Sequence, residues 1–292
     1  MINAWPDYEL IDFGDGRKLE RFGAYVFDRP CPAAIGLPKQ CADQWKKRHS
    51  RYNGERVGDG AWEPELADDR FEFDQLPWCA VPIDEGFRLF AVPRPGGQIG
   101  VFPEQFANWK WIVERVRRSP ESPRVLNLFA YTGGSTLAAA VAGATVTHID
   151  SAKPSIERAS WNAYGSGLEE RPIRWIIEDA MKFCRREVRR RNRYDAIILD
   201  PPTYGHGPKG EEWIIKRDLL PLLELCGELT ERRPKFLLLT CHSPGIGLAE
   251  LSAYLSEGIF GSCGQPPRTM ELFLETADGR RLPSGVAARW PG

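Results

Sequence analysis

The residues best placed to do chemistry are three aspartates at the ends of apolar runs. Asp150 closes TVTHID (Thr145–Asp150), Asp179 follows IRWII (Ile173–Ile177) in the stretch EDAMKF, and Asp200 closes DAIILD (Asp195–Asp200). An acid at the end of an apolar strand faces the mouth of a sheet, where a ligand meets the fold. Asp200 runs directly into Pro201, Pro202, Thr203 and Tyr204. Consecutive prolines fix their own φ and remove two N–H donors, leaving a rigid edge of carbonyl acceptors. Such an edge can grip an amino group or position a planar base, and Tyr204 is placed to stack on it. Asp150 lies about 20 residues beyond a glycine turn, the distance at which an acid accepts hydrogen bonds from ribose hydroxyls. Asp179 also suits a helix N-cap.

That glycine turn lies in VLNLFAYTGGSTLAAAVAGA (Val125–Ala144), an apolar strand passing through Gly133 and Gly134 into a helix that opens at Ser135. Glycine there permits a tight turn and a close approach of backbone to ligand. The pattern is not G-x-G-x-x-G, so a nicotinamide dinucleotide is not indicated.

These residues need a parallel sheet to position them, and the sequence supplies one. Apolar runs at Arg124–Phe129, Thr145–Asp150, Ile173–Ile177, Asp195–Asp200 and Lys235–Thr240 alternate with helical stretches at Ser135–Ala142, Pro154–Tyr164, Ala180–Arg190 and Lys216–Leu229. Alternation of this kind gives a parallel sheet covered on both faces. RTMELFLE (Arg268–Glu275), a turn, and GVAARW (Gly285–Trp290) predict an antiparallel edge hairpin. Residues 1–118 differ, with short strands, Asp-Gly and Pro-Gly turns and a closing helix over Phe102–Arg118. The expected division is a small β-rich α+β domain, 1–118, and a larger α/β domain, 119–292, parted at SPESP (Ser119–Pro123).

Composition narrows the class. The chain has 292 residues, 42% hydrophobic and 27% charged, with a formal net charge of −1. Any nucleic-acid surface must therefore be local. Seven cysteines without a C-x-x-C pair predict reduced thiols and no metal site. The acidic N-terminus and the lack of a long apolar run predict a soluble, cytoplasmic protein with no membrane partner.

NLFAYTGGSTLAAA, THIDSAKPSIERASWNA, PIRWIIEDAMKF and IILDPPTYG, in this order and spacing, resemble the successive motifs of class I S-adenosylmethionine-dependent methyltransferases. More narrowly, they resemble the family around the bacterial large-subunit ribosomal RNA methyltransferases, over most of residues 100–245. The resemblance implies a Rossmann-like methyltransferase domain with a mostly parallel seven-stranded sheet. It implies Phe129, Ala130, Tyr131, Thr132 and Gly133 on the methionine and ribose side of S-adenosylmethionine. It further implies Asp150 on the ribose, Asp179 near the adenine, Asp200 beside the methyl group, and GVFPEQ (Gly100–Gln105) approaching the cofactor. The opening half departs from the small RNA-binding domain found at the N-terminus of many members.

Two features bear on the acceptor. KFCRREVRRRNR (Lys182–Arg193) carries seven basic residues and one acid, so Arg186, Arg189 and Arg190 either contact phosphates or form a solvated face. Cys241 stands where some relatives carry the thiolate that adds to a pyrimidine during carbon-5 methylation, but cysteine is equally a small buried apolar residue. His242 beside it suits a base or a structural hydrogen bond. The reading is a methyltransferase acting on a base in RNA, ribosomal RNA foremost. A protein or small-molecule acceptor, or a catalytically silent RNA-binding protein that keeps the cofactor site, are the alternatives.

Overall fold

A computed structural model describes residues 5–55, 58–63, 78–83, 86–94, 96–261 and 266–292. The chain divides into two compact units: residues 1–106 with 273–284, and residues 107–272 with 285–292. This division falls within the stretch expected to form the closing helix, and it places the tip of the C-terminal hairpin in the first unit.

The first unit is built on a five-stranded sheet in sequence order, β1 (Tyr8–Gly14), β2 (Arg17–Phe22), β3 (Tyr25–Pro30), β4 (Ser50–Tyr52) and β5 (Trp62–Glu63). A separate hairpin pairs β6 (Trp78–Val81) with β7 (Phe87–Phe90). The FGDGR segment makes the β1–β2 turn as expected, with Asp15 and Gly16 at positive φ. Asp12 is fully buried in β1. Its carboxylate accepts from the backbone N–H groups of Phe13, Gln40 and Cys41, from the Trp45 indole, and from Arg280 in the hairpin tip. A buried charge survives in a fold only when paired and hydrogen-bonded in this way. The contact also explains why the tip belongs with the first unit.

The second unit opens within α2 (Phe106–Arg117), the short α1 (Ala42–Trp45) lying in the first unit. Its sheet has the order β10-β9-β8-β11-β14-β16-β15. The strands are β8 (Arg124–Leu128), β9 (Thr145–Asp150), β10 (Ile173–Ile177), β11 (Ala196–Leu199), β14 (Phe236–Cys241), β15 (Arg268–Glu275) and β16 (Arg281–Trp290). The first five run parallel, and β16 pairs antiparallel with β14. This is the mostly parallel sheet expected from the apolar runs, with the seven strands that the resemblance implies. Every residue of β11 and β14 is buried, which is why those strands read as continuous apolar runs. β10 lies at the sheet edge and is half-exposed.

The helices are α3 (Gly134–Val141), α4 (Lys153–Gly165), α5 (Ala180–Arg189), α6 (Ile215–Leu229) and α7 (Leu248–Leu255). Phe183 of α5, Leu219, Leu222 and Leu223 of α6, and Leu251 of α7 pack on Leu126, Ile197, Leu199, Leu237 and Leu239 of the strands. α7 was not read from the sequence. Nor was the small hairpin of β12 (Tyr204–His206) and β13 (Glu212–Ile214), which proves central to the site.

Cys31, Cys79, Cys184, Cys226 and Cys241 are buried free thiols and Cys41 is exposed, while Cys263 lies outside the described residues. Among the described residues, no helix is long and apolar enough to cross a membrane.

Candidate active site

In the strand order, the chain steps outward from β8 to β9 to β10 and then returns to place β11 on the other side of β8. At such a switch point the loops leave in opposite directions and open a crevice at the carboxyl ends of the strands. Phe129, Asp150, Glu178, Asp179 and Pro202 all line one cleft there, with Gly205, His206, Gly207 and Trp213 of the hairpin closing it.

The turn after β8 has an unusual backbone. Phe129, Tyr131 and Gly133 take positive φ values of 55°, 46° and 89°. Left-handed φ costs a non-glycine residue on the order of 1 kcal/mol or more, so Phe129 and Tyr131 are held there by their surroundings. The Ala130 N–H donates to the Ile149 carbonyl at 3.0 Å, and the Tyr131 N–H donates to Asp150 Oδ2 at 2.8 Å. Asn162 Nδ2 of α4 donates to the Thr132 carbonyl at 2.8 Å. Glycine is required twice. A Cβ on Gly133 would lie 3.1 Å from that of Ala159, and one on Gly134 would lie 2.5 Å from the Trp109 ring.

Beneath this turn, His148 of β9 is fully buried against Trp175, ring centroids 4.8 Å apart. Its Nδ1 meets the Thr136 hydroxyl at 2.8 Å, and that hydroxyl accepts from Asn127 Nδ2 at 2.9 Å. The Thr136 hydroxyl thus bridges the Asn127 amide and the His148 ring. Burial pushes the imidazole down to about 3, against a hydrogen bond with the Tyr131 backbone that raises it. His148 is a neutral strut under the turn.

Asp150 ends β9 with its carboxylate at the cleft. Oδ1 accepts from Ala152 N–H at 2.9 Å, and Oδ2 from Tyr131 N–H. Burial raises its pKa above the ordinary aspartate value, and the backbone donors from Ala152, Tyr131 and Ser151 oppose that rise. Each oxygen keeps a lone pair for a further donor. Asp179 caps α5, accepting from Lys182 N–H at 2.8 Å, and lines the cleft as well. Glu178 beside it was missed. It pairs with Arg186 Nη1 at 2.6 Å, which takes Arg186 out of the basic run. Arg190 lies 3.8 Å from Glu187. Arg189 lies on a different face, described below.

On the other side of the switch point, Asp200 Oδ1 accepts from the Thr240 hydroxyl at 2.6 Å and lies 3.5 Å from His242 Nε2. His242 fits because Gly285 has no side chain, since a Cβ there would lie 2.6 Å from its Nδ1. The Pro202 carbonyl, part of the expected acceptor edge, takes the Trp213 indole N–H at 2.7 Å. Trp213 in turn packs on Phe129, centroids 4.8 Å apart. One tryptophan thus ties the Pro-Pro edge to the glycine turn. Tyr204 is exposed on the hairpin, its hydroxyl 2.9 Å from His206 Nε2 and its ring edge-on to that imidazole. Cys241 is buried at the end of β14, where its Sγ accepts from Ser243 N–H at 3.4 Å. Burial, with a smaller contribution from the Asp200 charge, pushes the thiol up.

The cleft holds a cavity of about 40 Å³, enough for little more than water, with the hairpin residues His206 and Gly207 in its wall.

Fold and crevice together define an α/β domain with a cleft at the switch point of its parallel sheet. Residues 78–252 match the family of S-adenosylmethionine-dependent methyltransferases, and the chain belongs to that family. Over 97% of this chain and 90% of the other, the fold matches the crystal structure of a SAM-dependent methyltransferase from Agrobacterium tumefaciens, with a TM-score of 0.85 and 34% identity. Among curated relatives, the ribosomal RNA large subunit methyltransferase I of Salmonella arizonae is 26% identical over 206 residues, 70% of this chain and 49% of that protein. Its counterpart from Citrobacter koseri is 30% identical over 132 residues, 44% of this chain and 32% of that protein. The match thus spans half or less of those relatives' length.

S-adenosylmethionine is the family's cofactor, and the residues present fit it. The Asp150 carboxylate retains acceptor capacity for two hydroxyls, and a side chain at Gly133 would crowd Ala159 in the turn beside it.

Proposed function

We propose that the chain methylates a nitrogen of a base in RNA, with ribosomal RNA as the foremost acceptor and the cytoplasm as its place of work. The observation that carries the reading is Asp200. Its carboxylate is fixed by Thr240 at the end of β11, immediately before the Pro201–Pro202 edge. An amino or ring N–H of a flat base placed there donates to Asp200 and to a proline carbonyl, which turns its nitrogen lone pair towards the cofactor. RNA as the acceptor is supported by the relatives, which are named for ribosomal RNA.

In this reading, Phe129–Gly133 hold the methionine and ribose side of the cofactor, Asp150 the ribose hydroxyls and Asp179 the adenine amino group. The cofactor, when bound, supplies a methyl group activated by its sulfonium. Asp200 orients the acceptor and takes up the proton that the methylated nitrogen releases, and the hairpin excludes water. Tyr204 stands at the outer rim, where the acceptor enters.

A carbon-5 mechanism would instead need a thiolate, and the buried, raised Cys241 thiol disfavours one. Cys241→Ser is expected to keep most of its activity. Methyl transfer from labelled cofactor measures this, and loss of all activity would reassign the acceptor to a pyrimidine carbon.

Asp150→Ala is expected to weaken S-adenosylhomocysteine binding by about 2–3 kcal/mol, the range for hydrogen bonds to a charged group. Affinity of the wild type should also fall as pH drops through the Asp150 pKa, at a higher pH than an ordinary aspartate gives, because the ionised form is the better acceptor. Calorimetry across pH checks both, and unchanged affinity in Asp150→Ala would remove this residue from the site.

The acceptor itself is tested by comparing modified nucleosides, by mass spectrometry, in RNA from strains with and without the gene. Incubating RNA and protein fractions of the deleted strain with enzyme and labelled cofactor completes the test. Label confined to protein would overturn the RNA reading.

A further inference from the structure

A second cleft, with a cavity volume of about 360 Å³, adjoins the first and shares Asp179 and Trp213 with it. It is lined by Lys182, Arg185 and Arg189 of α5, which form its basic wall, and by the acids Glu211, Glu212 and Asp218. Lys182 and Arg185 are three residues apart, and Arg185 and Arg189 four, the spacing that aligns side chains on one helical face.

The acids are already provided for. Glu211 accepts from Lys209 N–H at 2.8 Å and lies 3.7 Å from Lys182 Nζ. Glu212 and Asp218 share the Arg217 guanidinium at 2.8 Å, and Asp218 also accepts from Ile214 N–H. Arg185 feels Asp218 only from beyond ion-pair distance, and Arg189 has no carboxylate within that distance among the described residues. Both guanidiniums are exposed. The run's other candidates are committed elsewhere, Arg186 to Glu178 and Arg190 to Glu187.

We infer that this cleft is a nucleotide subsite for the RNA strand beside the methylated base, an inference that rests on the RNA reading above. Arg185 and Arg189 take a phosphate, and guanidinium geometry suits that contact. The acidic wall accepts from the ribose hydroxyls and base N–H groups of the same nucleotide. A bare anion meets both walls and gains little, whereas a nucleotide presents its negative end to one and its donors to the other. The shared Asp179 and Trp213 put this subsite next to the cofactor cleft.

The test is the double variant Arg185→Gln/Arg189→Gln, compared with a charge-matched control, Arg174→Gln/Arg233→Gln, on exposed positions outside both clefts. The probe is a short mixed-sequence single-stranded RNA, read by fluorescence anisotropy over a range of salt. Loss of one phosphate contact flattens the slope of log K against log salt by about 0.7 for single strands, and of two by about 1.4. The double variant is expected to bind roughly tenfold more weakly at low salt with a slope flattened in that range. The control should match the wild type, and S-adenosylhomocysteine affinity should be unchanged in both variants. Wild-type RNA binding by the double variant at every salt concentration overturns the subsite and leaves the RNA reading standing. A wild-type protein that neither binds nor methylates RNA overturns both.

Discussion

Asp200→Ala is expected to bind S-adenosylhomocysteine with close to wild-type affinity and yet to lose about 100-fold or more in kcat, the lower end of what a positioned acid–base group contributes. The split follows from the residue's place. The Asp200 carboxylate stands on the β11 side of the switch point, held by Thr240 and beside His242, whereas the proposed ribose and adenine contacts come from the ends of β9 and β10. Removing it leaves the acceptor base without its orienting partner and without an acceptor for its proton. Asp200→Asn keeps one acceptor oxygen but cannot take the proton, so it should fall between alanine and wild type. Single-turnover methyl transfer at saturating cofactor is the measurement. Undiminished turnover in Asp200→Ala would falsify the proposed catalytic role, and an equal loss of cofactor affinity would move the residue to the binding site.

His148 should make the fold acid-sensitive in a defined window. Its folded pKa is depressed to about 3 from 6.5, so below pH 6.5 the unfolded chain takes up a proton that the native one refuses. The stability linked to this group is fully present above 6.5 and is lost as pH falls towards 3. At about 1.4 kcal/mol per unit, roughly 2 kcal/mol is gone by pH 5. Asp150 has the opposite sign, because its raised pKa lets the native state take a proton first and so adds stability as pH falls. Urea unfolding of wild type and His148→Phe between pH 7 and pH 5 separates the two. The variant loses the Thr136 hydrogen bond and starts less stable, but its stability should decline less over this window. Parallel curves would show that His148 is protonated in the native state.

Much of this was legible in the residues. Runs such as DAIILD and KFLLLT read as buried parallel strands because they are continuously apolar, and Asp150, Asp179 and Asp200 stand at the carboxyl ends of β9, β10 and β11. What stayed hidden depends on contacts that no local pattern encodes. The β12–β13 hairpin lies in GHGPKGEEW, a polar, glycine-rich stretch that reads as plain loop. Trp213 there looks like a stray aromatic until it meets Pro202 and Phe129. A basic run in sequence shows charge without partners: Glu178 lies eight residues before Arg186, across the start of α5, and pairs with it. The grouping of the hairpin tip with the first unit was hidden for a similar reason, since Arg280 reaches Asp12 across 268 residues of chain.

The hairpin has one more consequence, which lies in thermodynamics. Trp213 belongs to the walls of both clefts, so a ligand that sets its position in one also sets the shape of the other. If opening the hairpin costs free energy, the first ligand to bind bears that cost and the second finds the door already moved. Linkage then requires reciprocity: whatever factor RNA contributes to cofactor affinity, the cofactor contributes to RNA affinity. The two binding events would behave as one cooperative unit, with Trp213 as the joint between them.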